Sequence, residues 1–589
     1  MKLPLSVLVV VHTAQMEVLL LERAQRPGFW QSVTGSLDQA DEPFEAAAAR
    51  ELREETGIQA NDGRLRRWNV AYTFEIYAQW RHRFAPGVTH NTEHLFSLEL
   101  ARPAPVTLAP QEHTAFAWLP WREAARKCFS WSNRDAILMV GAALLAAGCA
   151  TGGGGKPLAP HLESGAPEVR ECAQWYQALD AEIDAAGVRD AQAARVAGFP
   201  HLRVDRTLAG LRDRAAKSES ALRAYAERLA ELDLEARVHE IQNLPTLPSA
   251  AARTQSVRRT QDCGRRLLAA DLASPSGRAE MLAAAKVAGE PARAPSADEA
   301  PWQRRTLAAF KLTPEESVQR VRYAPPAAPR IPRGVIAGLL GRATFDPLGY
   351  LALSAREIER LGVTYAPTFE IETRADYDRF GWLRWRRGVS LPQVDAAEPT
   401  VYVQAAYMRY GEHLLLQLVY TLWFPERAAR DTLDGAGPLD GVVWRVTLAP
   451  DGEPILYDSI HACSCFHAFF PTPRARQRPS PDGPTPSVFV PQRLARVAED
   501  ERVVVTLASA THDLEGVRLS RDAESLVRYT LRPYDELRSL PRLTGGHASA
   551  FGVDGRIAGS AARQWGRQAI GHYHFDDGDL LERRFELEL

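Results

Sequence analysis

Cysteine is scarce in this chain. Cys128, Cys149, Cys172, Cys263, Cys463 and Cys465 are the six in 589 residues, too few for a disulfide-built scaffold. Long apolar runs are missing as well. No stretch reaches the ~20 residues that a membrane-crossing helix needs, and the longest uncharged apolar run is Ala136 to Ala147. Excess charge of either sign is missing too. Lys and Arg number 71 against 73 Asp and Glu, a net charge of -2. No basic field exists to hold a polyanion, so no nucleic acid partner is expected. Hydrophobic residues at 45% and charged residues at 24% are usual for a globular protein. At ~100–200 residues per domain, the length calls for about three or four domains.

The texture changes along the chain. Residues 1–138 alternate short β-type runs, Ser6 to Val11 and Glu17 to Leu21, with one strong helical stretch, Glu45 to Thr56. Residues 136–155 carry the apolar run, a cysteine and a glycine-rich linker. Residues 156–271 are rich in Ala, Leu, Glu and Arg, and Cys172, Trp175, Tyr176, Leu179 and Ile183 recur at helical spacing, which predicts a helical region. Residues 272–339 hold many Pro, Ala and Ser and read as a linker. From 340 to 589, runs such as Thr400 to Tyr407, Leu414 to Phe424, Gly441 to Leu448 and Val503 to Ala508 alternate with turn signals, which predicts a mostly β domain. The fold class expected overall is α+β.

Chemistry concentrates in Gly35 to Ile58, GSLDQADEPFEAAAARELREETGI. Pro43 suits a first helical turn and pushes the residue before it out of the helical region, so Glu42 is the expected N-cap. Gly57 is placed to end the helix. Glu51, Glu54 and Glu55 stand at i, i+3 and i+4, on one helical face. Carboxylates so placed repel one another, and a cation relieves the repulsion. Hard oxygen ligands suit Mg²⁺, with Mn²⁺ a possible substitute. Arg50 and Arg53 partly neutralise the cluster.

These residues resemble the signature of the Nudix family: Glu42, seven residues, then Arg50-Glu51-Leu52-Arg53-Glu54-Glu55-Thr56-Gly57-Ile58. One departure stands out, since six residues and not five separate Gly35 from Glu42. The resemblance, which covers about residues 3–138, implies an α/β/α sandwich with Glu51, Glu54 and Glu55 as metal ligands. It also implies pyrophosphate release from a small-molecule triphosphate by water attack. Glu54 and Glu112 are the catalytic candidates, Glu112 as base or further ligand. Arg23, Trp30 and Gly35 are the candidates to contact substrate. The stretches Phe29 to Ser36 and Ser130 to Arg134 look like those of the dihydroneopterin triphosphate diphosphatase branch, which acts in folate biosynthesis. Within that implied chemistry a broader nucleoside triphosphate range, dATP included, stays open. A cytoplasmic place is expected for this domain.

Ala136 to Ala147, then Gly148-Cys149, resembles the end of a bacterial lipoprotein signal, with Cys149 the lipidation candidate. Its internal position suggests a gene fusion, with residues 150–589 derived from a periplasmic or outer-membrane lipoprotein of binding or structural role. A membrane enters only through a lipidated Cys149. The alternative is a helix that closes the preceding fold. Under the fusion reading, Cys172 and Cys263 form a disulfide; two buried thiols are the other choice. Further on, His461, Cys463, Cys465 and His467 alternate at period two, as for one face of a strand. They span about 20 Å, at ~3.3 Å per residue, too far for one tetrahedral ion to take all four. Two neighbours with partners from elsewhere form a speculative metal site, and His572 and His574 are a similar pair.

Overall fold

The computed structural model describes residues 2–39, 41–76, 78–130, 132–141, 159–286, 299–310, 319–342, 345–386, 391–428, 437–461, 466–479, 488–521, 527–543, 545–552 and 580–589. The chain divides into two compact units, one running to Gly154 and one beginning at Gly155.

The first unit holds β1 (Leu5–Thr13), β2 (Glu17–Arg23), β3 (Trp30–Gln31), β4 (Val33–Ser36), α1 (Phe44–Thr56), β5 (Arg64–Glu75), β6 (His90–Leu100), β7 (His113–Pro120), α2 (Trp121–Lys127) and α3 (132–141). Its sheet runs β3-β2-β1-β6-β5, with β4 also on β1 and β7 also on β2. β1 lies parallel to β6, Leu5 opposite Thr92, and antiparallel to β4, Ser6 opposite Ser36. A strand with neighbours on both edges and helices over both faces is apolar throughout, which explains the unbroken Val-Leu run of β1. Alternation splits that run between two cores. Val7, Val9 and Val11 pack with Ala47, Ala48 and Leu52 of α1. Leu8 and Val10 pack with Trp121, Ala124 and Ala125 of α2 and with Ala136, Ile137, Met139 and Val140 of α3. The result is an α/β/α sandwich. Residues 136–141, the start of the signal-like apolar run, are thus the closing helix of this core. Cys149 lies outside the described residues.

The sequence places both ends of α1 closely. Gly57 takes the left-handed conformation, φ 73°, and its N–H donates to the Arg53 carbonyl. The N-cap is Pro43, not Glu42. The Glu42 carboxylate instead accepts from Arg50 Nε at 3.1 Å and from the Asp38 N–H at 2.7 Å, which ties the entering loop to the helix side.

In the second unit, the helices Pro167–Ala186, Glu219–Asn243 and Ala250–Ala273 pack together, and Cys172 and Cys263 are joined as a disulfide. A hairpin, Ala194–Val196 with Phe199–Val204, interrupts this helical region. The described residues between 272 and 339, expected as a loop-rich linker, are largely regular structure. They contain the helices Pro275–Ala284 and Glu299–Ala309, the strand Arg320–Ala324 and the start of the helix Arg333–Arg342. Pro275 opens a helix whose N-cap, Ser274, accepts from the Gly277 N–H at 3.2 Å; proline in a first turn starts a helix rather than breaking one.

Two sheets carry the β region. One, of six strands, includes Thr400–Tyr410, His413–Arg427, Gly437–Leu448 and Pro454–His461; the other, of five, includes Arg320–Ala324, Thr368–Glu372 and Arg502–Leu507. They share one core, in which Tyr420, Trp444 and Tyr457 meet Phe369, Ile371 and Val505. His461 and His467 do not lie on one strand face. The strand ends at His461, and by residue 468 the chain has returned antiparallel, Ser459 opposite Ala468. His461 approaches Asp440 at 3.6 Å, whereas His467 approaches Asp458 at 3.1 Å. Asp458 pairs across with Arg445, while His461 lies opposite Val442, so alternation sends the two imidazoles to opposite faces. Cys463, Cys465, His572 and His574 lie outside the described residues.

Candidate active site

α1 presents its carboxylates to the sheet unequally. Glu51 and Glu55, four residues apart, turn inward and are buried, while the Glu54 side chain keeps 52% of its surface exposed. Gly35 of β4 makes the inward turn of Glu51 possible, because the Glu51 carboxyl fills the space that a side chain at 35 would take.

Arg50 gathers the acidic groups along the helix. Its guanidinium lies 2.7 Å from Glu51 Oε1, 3.1 Å from Glu42 Oε1, 3.4 Å from Glu54 Oε2 and 3.3 Å from Asp38 Oδ2. It also donates to the Ser36 carbonyl at 3.0 Å, fixing the end of β4. Burial pushes the Glu51 carboxyl up to about 7 against the pull of Arg50, and Glu55 and Glu54 add to the rise.

Glu55 faces a second strand. Its carboxylate accepts from the Thr34 N–H at 3.3 Å and lies 3.4 Å from His113 Nε2. Burial raises its pKa, His113 opposes the rise, and Glu112 adds to it. Glu55, Glu112 and His113 each offer a ligand atom within 4.8 Å of the others. Glu55 and His113 are buried and Glu112 is exposed. Nδ1 of His113 has no hydrogen-bond partner among the described residues, and Nε2 meets only the Glu55 carboxylate. Buried carboxyls held against their own repulsion, beside an unsatisfied imidazole, are a donor set that a divalent cation completes. The residues therefore fit such an ion: Glu55 and Glu112 converge with His113, while Arg50 pairs with Glu51 and Glu54, the other two expected ligands.

Arg23 ends β2 half-buried, in register with His113. Its charge reaches Glu93, a fully buried carboxyl on β6 that burial pushes up to about 7 against a hydrogen bond from Ser132. Trp30 is half-buried against the α2–α3 core, with Lys127 Nζ 4.4 Å from its ring centre. The two stretches singled out beyond the helix meet in space. The Ser32 N–H donates to Asn133 Oδ1 at 2.6 Å, and Asn133 Nδ2 donates to Ser130 Oγ at 2.8 Å. Phe29 stacks on Phe129, ring centres 3.6 Å apart. The tail thus pins the strand that leads to Gly35.

Sequence reasoning missed His113 and Glu93. His113 follows Glu112 directly and begins β7, so its signal was present. Glu93 shows nothing in sequence, since a buried carboxyl and an exposed one look alike between Thr92 and His94.

A family model described as NUDIX domain matches residues 2–139. The chain is similar to the dihydroneopterin triphosphate diphosphatase of Escherichia coli (strain K12), 43% identical over 139 residues, 23% of this chain and 91% of the relative. It is similar to the Haemophilus influenzae protein of the same name, 38% identical over 135 residues, 22% of this chain and 84% of the relative. A solved structure of the E. coli dihydroneopterin triphosphate pyrophosphohydrolase is 42% identical, covering 23% of this chain and 94% of that one, with a TM-score of 0.22.

Proposed function

Since the chain belongs through residues 2–139 to the Nudix hydrolases, we propose that this domain converts dihydroneopterin triphosphate to its monophosphate and pyrophosphate, with Mg²⁺ as the cation. The observation that carries this reading is the 43% identity that spans 91% of a diphosphatase of that name. The geometry of the acidic site supports it.

Glu55 would hold the ion, with Glu51 beside it and Glu112 within reach as base or further ligand. Held by these residues, a divalent cation would supply charge screening for the triphosphate and would lower the pKa of a water. The chain's own residues do the rest. His113 orients the Glu55 carboxylate and offsets its charge. Glu112, exposed next to Glu55, is placed to take the proton of the attacking water. Arg50 pairs with Glu51 and Glu54 and fixes the loop between β4 and α1. Arg23, on the strand beside His113, brings a cation toward the phosphates.

The test is pyrophosphate release by the purified full chain from dihydroneopterin triphosphate and, in parallel, dATP, with Mg²⁺ or with chelator. Glu54→Gln and Glu55→Gln serve as controls. Release that needs Mg²⁺, favours the pterin and falls in Glu55→Gln supports the proposal. Faster release from dATP replaces it with a nucleotide pyrophosphohydrolase.

A further inference from the structure

Away from the acidic site, the second unit has a small cavity where the helix Arg333–Arg342 meets the strand Arg502–Leu507. Three arginines line it: Arg330, Arg333 and Arg502. Among the described residues none of them forms an ion pair with a carboxylate, whereas the most deeply buried arginines of this unit, Arg203, Arg237, Arg427 and Arg445, do. Backbone carbonyls hold them instead. Arg330 donates to the carbonyls of Glu501 at 2.6 Å and Asp500 at 2.8 Å. Arg502 Nη1 donates to the Ala366 carbonyl at 2.7 Å, and Arg333 Nη2 to that of Val497. These bonds fix each guanidinium and leave Nε of Arg330 and both Nε and Nη2 of Arg502 uncommitted among the described residues. Carbonyls orient a guanidinium without neutralising it, and although Asp500 and Glu499 act on Arg330 through space, neither pairs with it.

The surroundings agree. Of the acidic groups lining the cavity, Glu499 accepts from the Arg333 N–H at 2.8 Å, and Glu501 is 3.2 Å from Arg521. That Arg333 N–H opens a ten-residue helix, so Glu499 is engaged with the helix N-terminus and not with any of the three guanidinium groups. Burial, and for Arg502 the charge of Arg330, disfavours protonation of both residues. Ile336 and Tyr457 form an apolar floor. The space is about 50 Å³, enough for a few waters or one oxyanion group, and too little for a large ligand.

We propose that this cavity binds the oxyanion group, phosphate or carboxylate, of a small ligand, through Arg330, Arg333 and Arg502. Paired N–H groups of a fixed guanidinium suit either group, and the apolar floor takes a short hydrocarbon stem in the carboxylate case.

The experiment is calorimetric titration of the full chain, in chelator so that no cation recruits anions to the first unit. Inorganic phosphate and butyrate are the two probes. Binding of either at millimolar concentration, weakened about tenfold or more in Arg330→Gln and in Arg333→Gln and unchanged in Glu55→Gln, is the expected result. The stronger probe identifies the source as phosphate or carboxylate. No heat from either probe, or binding that survives both arginine substitutions, overturns the proposal. Thermal unfolding of each variant confirms that it is folded, and Arg330→Lys, which keeps the charge but not the fork, is expected to retain part of the affinity.

Discussion

A β-carbon at residue 35 would lie 1.7 Å from the carboxyl carbon of Glu51 and 1.9 Å from its Oε1. One of the two must move if both are present. Gly35→Ala is therefore expected to leave the sandwich folded and to displace Glu51 from beside Glu55. A displacement of about 1 Å at such a site costs on the order of 10²-fold in rate. Pyrophosphate release beside a circular dichroism spectrum checks this; a variant with full activity would show that Glu51 has no part in the site.

Glu55 and His113 answer a different question, that of cation affinity. Removing the imidazole from the buried carboxylate, as in His113→Ala, should weaken Mn²⁺ binding by about 10–100-fold, the usual cost of losing a group that orients a ligand. Glu54→Gln, on the exposed side of α1, should change Mn²⁺ binding less than Glu55→Gln does. Electron paramagnetic resonance of Mn²⁺ titrated into each chain gives both comparisons.

Glu93 should make the stability of the first unit depend on pH. Its folded value of about 7 stands above the ordinary 4.5 because it is fully buried. The folded state thus holds the proton more tightly. The stability this contributes is fully present below about pH 4.5 and is lost as the pH rises through 7. The shift is worth about 3 kcal/mol at most. Glu93→Gln should flatten this dependence, so that the variant melts higher than the parent at pH 8 and gains little at pH 5. Melting curves at the two pH values decide it.

The Cys172–Cys263 disulfide closes a separation of 91 residues. Constraint of the unfolded chain by a loop of that length is worth roughly 4.6 kcal/mol. Reductant, or Cys263→Ser, should lower the unfolding midpoint of the second unit in urea without abolishing the fold, since Tyr176, Leu267 and Ala173 still pack there. An unchanged midpoint would mean that the crosslink adds nothing to that packing.

α1 was legible because its signals are local: a repeat of 3.6, a proline before it and a left-handed glycine after it. Which of its three glutamates turn inward was not, because a glycine on another element decides that. Glu112 was reachable through family likeness, whereas Glu93 is defined only by what covers it. The alternation of His461 and His467 misled for a physical reason, since a period of two persists across a chain reversal that moves the two residues to opposite faces. Proline misled likewise between 272 and 339, where Pro275 begins a helix and reads in isolation as a breaker. Cys172 and Cys263 could be paired on paper, but spacing cannot tell a crosslink from two thiols. Only the approach of their two helices does.

The bond from the Ser32 N–H to Asn133 Oδ1 also sets an order of events during synthesis. Chains fold as they emerge, N-terminal parts first. The strand leading to Gly35 leaves the ribosome early, yet its anchor is made 101 positions later, at the start of α3, the helix that covers the sheet and ends only at residue 141. Until Asn133 has emerged, the lead-in strand lacks its lock and the apolar face of Leu8 and Val10 lacks its cover. The first unit is therefore a late closer on the nascent chain, and any truncation that stops short of residue 141 should yield a sheet with an open side rather than a smaller enzyme.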